Sequence, residues 1–161
     1  MNSRVFPLLL VFSVVFASYE YIPGRPYELM LIKLNASQLA EVKELIYDPD
    51  RSRADTLQAM KMWAYRQSPL TEQALDRSLF EYDQRQMREN ERILQRAQTV
   101  SAEAHDLEVS LRSIYNDIDL SEREACQQTN ASILNATEVV RREVDVQPQN
   151  CDEILAKFAS N

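Results

Sequence analysis

Two segments of the chain place aspartate, aspartate and serine at alternate positions, and oxygen atoms at this spacing are ligands in a calcium-binding EF-hand loop. The six residues are Asp48, Asp50 and Ser52 in the first segment and Asp117, Asp119 and Ser121 in the second. An EF-hand loop also needs glycine at its sixth position and glutamate at its twelfth. The first segment has Arg53 and Ala59 there, and the second has Glu122 and Gln128. Two interpretations stay open: weak binding of Mg²⁺ or Ca²⁺, or aspartates that only shape turns and cap helices.

Two cysteines, Cys126 and Cys151, lie toward the end of the chain. An even count in a secreted chain predicts one disulfide. If one helix ran from Cys126 to about residue 144 it would be roughly 27 Å long, while the seven steps back to Cys151 span at most about 24 Å. The bond therefore requires a nearly straight return segment or a helix that ends early. Two unpaired thiols are the alternative.

Three asparagines stand in the Asn-X-Ser/Thr pattern of N-glycosylation: Asn35, Asn130 and Asn135. On one helix, Asn135 would lie about 200° from the apolar Ile133 and face solvent. Asn130 would lie about 60° from it, near the edge of the core. We therefore expect Asn135 to be the first of the three to be modified.

Catalytic chemistry finds little support in the residues. The single glycine, Gly24, leaves no place for a glycine-rich phosphate loop or a nucleophile elbow. The single histidine, His105, lies within a strongly helical pattern and is expected on a helix surface. No cysteine or histidine cluster has the spacing of a zinc site. The sequence therefore predicts that the protein is not an enzyme.

The charge and the first residues indicate where the protein acts. Lys and Arg total 18 and Asp and Glu total 25, a formal net charge of −7, which disfavours nucleic acid and anionic lipid surfaces as partners. Residues 1–17 contain Arg4 and the apolar run Val5 to Phe16, and they end with Val15 and Ala17 at the positions where a signal peptidase prefers small residues. This is the pattern of a secretory signal peptide. The run is shorter than the roughly 20 residues of a membrane-spanning helix. We expect a secreted, extracellular protein with no membrane span in its mature chain; a retained membrane anchor is the alternative.

Helices must position these groups. Residues 18–34 contain proline and glycine and are expected to form an irregular lead-in. From residue 35 onward apolar residues recur at steps of three and four, and the clearest stripe comprises Val100, Ala104, Leu107, Leu111, Ile114 and Ile118. Ser52, Ser101 and Ser121 are expected to be helix N-caps. The sequence predicts an all-α fold, one compact domain of about five helices over residues 35–161.

A pattern of helix, aspartate loop and capped second helix occurs twice. The first copy comprises Leu34-Asn35-Ala36-Ser37, Ile46-Tyr47-Asp48 and Ser52, and the second comprises Val100-Ser101-Ala102-Glu103, Ile114-Tyr115-Asn116 and Ser121. The offsets between the copies are 66, 68 and 69 residues. EF-hand domains are built from paired helix-loop-helix units, so we expect a domain that is EF-hand-like in outline.

These segments, together with Met62-Trp63-Ala64 and Leu120-Ser121, resemble the SXP/RAL family of secreted nematode antigens over about residues 34–144. The resemblance implies a small, secreted, all-helical protein with two helix-loop-helix units that host antibodies recognise. It also implies binding of divalent cations, Mg²⁺ more readily than Ca²⁺, which would fall here at Asp48, Asp50, Asp117 and Asp119. The biochemical role of this family is largely unknown.

The sequence thus predicts a non-enzymatic binding protein with three candidate ligands. The first is a divalent cation at the aspartate loops. The second is a lipid or another small apolar molecule in a cavity between amphipathic helices. Candidate lining residues for it are Met30, Met60, Met62, Trp63, Phe80, Tyr82 and Met87. The third is a protein partner that binds the charged helical segment at about residues 71–98.

Overall fold

The computed structural model describes residues 25–160, which form eight α-helices and no β-strand. A 3-10 turn at Arg25–Tyr27 precedes α1 (Glu28–Leu31). The other helices are α2 (Ala36–Ile46), α3 (Arg53–Gln67), α4 (Pro69–Arg96), α5 (Ala102–Asn116), α6 (Glu122–Asn135), α7 (Glu138–Val144) and α8 (Cys151–Ser160). The predicted all-α class is confirmed, and none of the helices described has the length and apolarity needed to cross a membrane. The predicted signal peptide lies outside the described residues.

The helix count exceeds the predicted five because short helices are added near both ends. Within the stretch expected to be irregular, α1 packs against α4, and Tyr27 and Met30 are buried. The Ser78 hydroxyl donates a hydrogen bond of 2.7 Å to the carbonyl oxygen of Pro26, which fixes this segment to the N-terminal half of α4.

One predicted helix is divided into α6 and α7. Ala136 has extended backbone angles (φ −77°, ψ 148°), and Thr137 begins a new helix as its N-cap. After α7 the chain turns at Asp145, whose left-handed conformation (φ 60°) places its N–H near the last carbonyl groups of that helix. The early end of α6 brings the following segment back alongside it.

Helices α2 to α7 begin where the sequence provides a short polar side chain. In all six, the N-cap side chain accepts a hydrogen bond of 2.9–3.3 Å from the backbone N–H three residues later. The caps are Asn35, Ser52, Ser68, Ser101, Ser121 and Thr137. Each bond satisfies one of the N–H groups that the first turn of a helix leaves unpaired. The three predicted serine caps are confirmed.

The apolar residues form two main core clusters, one in each half of the chain, and α4 extends along both. The first cluster contains Tyr27, Met30, Val42, Ile46, Met60, Trp63, Ala64 and Leu75. The second contains Ala104, Leu107, Leu111, Ile133, Val144 and Val146. With 28 residues, α4 is roughly 42 Å long; it packs against α1 and α3 of the first half and against α5 of the second.

Candidate functional site

The two aspartate loops lie side by side and are joined by backbone hydrogen bonds. The N–H of Ala54 donates to the carbonyl oxygen of Ile118 (2.8 Å), and the N–H of Arg123 donates to the carbonyl oxygen of Pro49 (3.0 Å). The two donors, Ala54 and Arg123, are 69 positions apart in the chain, and so are the two acceptors, Pro49 and Ile118. The loops are therefore related by an approximate two-fold axis, and the repeat seen in the sequence is present in the backbone.

Three of the four aspartates predicted as metal ligands bind partners in the loops or at the start of α6. Asp48 Oδ1 accepts a hydrogen bond from the N–H of Asp50 (3.2 Å), and Asp117 Oδ1 accepts one from the N–H of Asp119 (3.0 Å). Both are Asx turns, in which the side chain substitutes for a backbone acceptor. Asp50 also forms an ion pair with Arg123, whose Nε lies 2.6 Å from the Asp50 carboxylate. The carboxylates of Asp48, Asp50 and Asp117 therefore have a structural role.

The two predicted hydroxyl ligands, Ser52 and Ser121, cap α3 and α6 and face each other in an isolated antiparallel β-bridge. In the described part of the chain, no group of three or more acidic, histidine or cysteine side chains is placed to hold a metal ion. The structure thus joins the two loops without gathering their carboxylates into one cluster. Cation binding at the six residues stays a prediction.

A charge pair at equivalent loop positions connects the two helix-loop-helix units. The first unit comprises α2, the first aspartate loop and α3, and the second comprises α5, the second aspartate loop and α6. Arg53 Nε and Nη2 donate hydrogen bonds to the two carboxylate oxygens of Glu122 (3.2 and 3.0 Å), and both side chains are largely buried. Arg53 Nη1 also donates to the carbonyl oxygens of Ile114 and Tyr115 (3.3 and 2.9 Å) at the end of α5. A cation is favourable there because the end of a helix carries partial negative charge. Arg53 thus ties α3 to both helices of the second unit.

A cavity of about 350 Å³ lies beside this charge pair, where the two units meet. Its walls are mainly apolar, with Ile46 and Leu57 from the first unit, Leu79 from α4 and Ile118 from the second loop. Polar atoms enter from a few side chains that include Arg53, Asp83 and Gln86. Most small-molecule sites have this composition, with apolar walls and a few polar groups that orient the ligand.

Three tyrosine rings complete the cavity wall: Tyr27, Tyr82 and Tyr115. Burial raises the pKa of Tyr82 above its ordinary value, and the neighbouring Tyr115 adds to the effect. Burial also raises the pKa of Tyr27, and the negative charge of Glu122 adds to the effect. The guanidinium of Arg53 lies 5.7 Å from the centre of the Tyr115 ring, within cation–π distance. The cavity therefore presents the neutral phenol groups of Tyr27 and Tyr82.

The sequence identified only one residue of this cavity, Tyr82, among its seven candidates. Met30, Met60 and Trp63 belong to the first core cluster, and Met62, Phe80 and Met87 are exposed. Sequence reasoning missed Arg53 and Tyr115. The available signal was the arginine at the sixth loop position, where an EF-hand loop has glycine.

The disulfide predicted from the cysteine count is present between Cys126 and Cys151, whose Cα atoms are 5.8 Å apart. Of the two conditions that the sequence set, the early end of the helix is the one met, because α6 ends at Asn135. The bond joins α6 to α8 beside the end of α5.

The three glycosylation candidates differ in their surroundings. Asn130 Oδ1 accepts a hydrogen bond from the N–H of Gln149 (2.9 Å), and its Nδ2 lies 3.2 Å from the sulfur of Cys151. A glycan would attach to that nitrogen. Asn35 and Asn135 are exposed, so the geometry favours these two; glycosylation itself stays a prediction.

Other ionisable groups lie away from the cavity. Glu108 is fully buried, with Arg96 Nη1 2.6 Å from its Oε1, and burial raises its pKa although Arg96 opposes the shift. His105 is half-buried on the same helix. Glu143 accepts hydrogen bonds from the hydroxyl and N–H of Ser101 (2.7 and 2.6 Å), which lower its pKa. These contacts join α7 and the end of α4 to α5.

Comparison with known protein families, with curated proteins and with solved structures found no match to this chain. Its function is therefore inferred from its own residues and geometry.

Proposed function

We propose that this chain is a secreted, non-enzymatic binding protein of the SXP/RAL type, and that its ligand is a small, mainly apolar molecule held between the two helix-loop-helix units. The observation that carries the proposal is the cavity of about 350 Å³ at the junction of the units. Sites for small molecules are concave, with volumes of roughly 300–1,000 Å³ and predominantly apolar walls. This observation favours an apolar ligand over a cation at the aspartate loops.

The charges around the cavity favour a ligand whose polar group is uncharged. The positive charge of Arg53 is balanced by Glu122, and Asp83 adds a negative charge to the wall. The guanidinium of Arg112, 5.6 Å from the centre of the Tyr115 ring, offsets that charge. A carboxylate ligand would therefore lose its hydration without a net positive charge to replace it. An alcohol or amide could exchange hydrogen bonds with Tyr82 and Tyr115, since both hydroxyls donate and accept. The expected ligand is an apolar chain or ring that carries one such group.

Binding can be measured with N-phenyl-1-naphthylamine, an uncharged dye whose fluorescence increases in an apolar site. We expect the disulfide-bonded protein to bind the dye. Decan-1-ol should displace the dye at a lower concentration than decanoate, because the two competitors differ in the charge of the head group. Displacement by decanoate alone would contradict the predicted head-group chemistry.

A variant that fills the cavity locates the dye. Leu79→Trp replaces a leucine side chain in the cavity wall by the larger indole ring of tryptophan, and it should weaken dye binding by at least about tenfold. The matched control is Leu134→Trp, the same change at an exposed position of α6, which should leave binding unchanged. Failure of the natural protein to bind the dye, or equal binding by the Leu79→Trp protein, would overturn the proposal.

Cation binding, which the resemblance implies, has its own test. Chelator-stripped protein is titrated with Mg²⁺ and then Ca²⁺ in a calorimeter, beside an Asp48→Asn, Asp117→Asn double variant. Because both carboxylates already accept a backbone hydrogen bond, we expect no submillimolar binding. Submillimolar binding that the double substitution abolishes would make the loops the functional site instead.

Secretion and glycosylation belong to the same proposal. In eukaryotic cells that express the full chain, we expect the protein in the medium, with glycans at Asn35 and Asn135 that peptide N-glycosidase F removes. Peptide mass spectrometry should find Asn130 unmodified, since its amide is bonded within the fold. Retention of the protein in the cell membrane would contradict the secretory part of the proposal.

A further inference from the structure

The outer face of α4 carries large apolar side chains at intervals of seven residues. Phe80, Met87 and Leu94 are 60%, 57% and 67% exposed. Since seven residues make nearly two turns, each is rotated only about 20° around the helix from the one before. Met87 lies about 180° from Ser78, which is buried against the core. A stripe of this kind is typical of a seam between helices.

The charged residues beside the stripe are ordered along the helix. Arg77 and Glu81 lie toward its N-terminal half, and Arg88 and Glu91 lie toward its C-terminal half, all on one side of the stripe. If a second copy of α4 is laid antiparallel, with a two-fold axis near Gln84, Arg77 of one copy faces Glu91 of the other. Glu81 likewise faces Arg88. Because the axis repeats each contact, two antiparallel copies form four pairs of opposite charge.

We infer that the protein forms an antiparallel homodimer through this face of α4. In this arrangement Phe80 of one copy packs against Met87 of the other, and the four charge pairs fix the register. On the other side of the stripe, Asp83 of one copy faces Asp83 of the other. This one pair of like charges opposes the four pairs of opposite charge. The stripe offers less buried area than the roughly 1,200–2,000 Å² of a standard protein–protein interface. We therefore expect a dissociation constant in the micromolar range.

Sedimentation equilibrium of the secreted, disulfide-bonded protein tests this inference. Over about 5–500 µM the apparent mass should rise from the monomer to twice the monomer. In the Arg88→Glu protein, the new glutamate at position 88 of each copy faces Glu81 of the other copy. The dissociation constant of the dimer should therefore rise by about tenfold or more. The Glu81→Arg, Arg88→Glu double variant exchanges the charges and should restore dimerisation to within about threefold of the natural protein.

A structural defect would not be rescued by the second substitution, so the pair of variants separates interface charge from folding. Three results would overturn the inference: a monomer at every concentration, an Arg88→Glu protein that dimerises as tightly as the natural chain, or a double variant that stays as weak as the single one. Each would mean that some other surface, or no second copy, covers the stripe.

Discussion

The two helix-loop-helix units have the same loop geometry but opposite charges at equivalent positions. Asp48 and Asp117 form corresponding Asx turns, yet the position that holds Arg53 in the first unit holds Glu122 in the second. Like charges would repel across the approximate two-fold axis, whereas these two residues form a doubly hydrogen-bonded pair. Each unit is therefore adapted to pair with the other unit and not with a copy of itself.

The units also differ in how their helices begin. In the first unit, α2 starts with a capping box of two amides, Asn35 and Gln38, which do not ionise. In the second unit, the starts of α5 and α6 are each bound by a carboxylate, from Glu143 and Glu124. The disulfide also lies in the second unit. The second unit thus has a covalent bond, and carboxylates bound at the starts of its helices, that the first unit lacks.

The largest expected effect follows from removing that covalent bond. Replacing Cys126 and Cys151 together by alanine opens a loop with a sequence separation of 25 and should lower the free energy of unfolding by about 3 kcal/mol. Hydrogen exchange should show the loss of protection first in α6 and α8, while α2 and α3 stay protected longer. Simultaneous loss in both units would show that they open as one.

A smaller effect is expected from the charge pair between the units. Arg53→Gln leaves Glu122 without its cation at a site where the glutamate side chain is only 14% exposed, so urea denaturation should show a loss of about 2 kcal/mol. The matched control is Arg123→Gln. Its partner Asp50 is 68% exposed, and exposed ion pairs contribute little. Equal losses in the two variants would contradict the central role of Arg53.

The smallest effect should appear in acid. Hydrogen bonds from Ser121 and from Ser101 lower the pKa values of Glu124 and Glu143. Their contribution to stability is therefore present above the unfolded pKa, about 4.3, and is lost as the pH falls through the lower folded values. Below about pH 4 the melting temperature of the natural protein should fall more steeply than that of the Glu124→Gln, Glu143→Gln variant.

Glu108 acts in the opposite direction. Burial raises its pKa, so its contribution is present at low pH and is lost as the pH rises through the folded value. Glu108 is common to both proteins, and the charge of Glu143 adds to the rise in its pKa. The difference between the two melting curves therefore reports Glu124 and Glu143 together with this effect of Glu143 on Glu108. Parallel curves from pH 6 to pH 3 would show that the two carboxylates do not stabilise the helix starts.

The fold could be predicted where its determinants are local. The hydroxyls of Ser52, Ser101 and Ser121 reach backbone N–H groups only three residues away, and such a relation is visible in the sequence. The disulfide between Cys126 and Cys151 followed from the cysteine count. The helix break before Thr137 was missed because Ile133 and Val144 keep helical spacing across it.

The candidate site was less predictable because it depends on packing. Arg53 reaches Glu122 and the end of α5 across more than 60 positions of the chain, and no local pattern specifies such a contact. The cavity is a space left between helices, so its existence depends on how the two units meet. The aspartates drew attention because their spacing matches a metal loop, although the same spacing also forms Asx turns.

The most direct test of the account is a set of intermolecular nuclear Overhauser effects between decan-1-ol and the isotope-labelled, disulfide-bonded protein. The central claim is that the ligand lies between the two units. It predicts contacts from the decyl chain to the methyl groups of Leu57 and Leu79 and to the ring of Tyr115, which line the cavity from α3, α4 and α5. Contacts confined to the exposed stripe of α4, or none at saturating decan-1-ol, would contradict it.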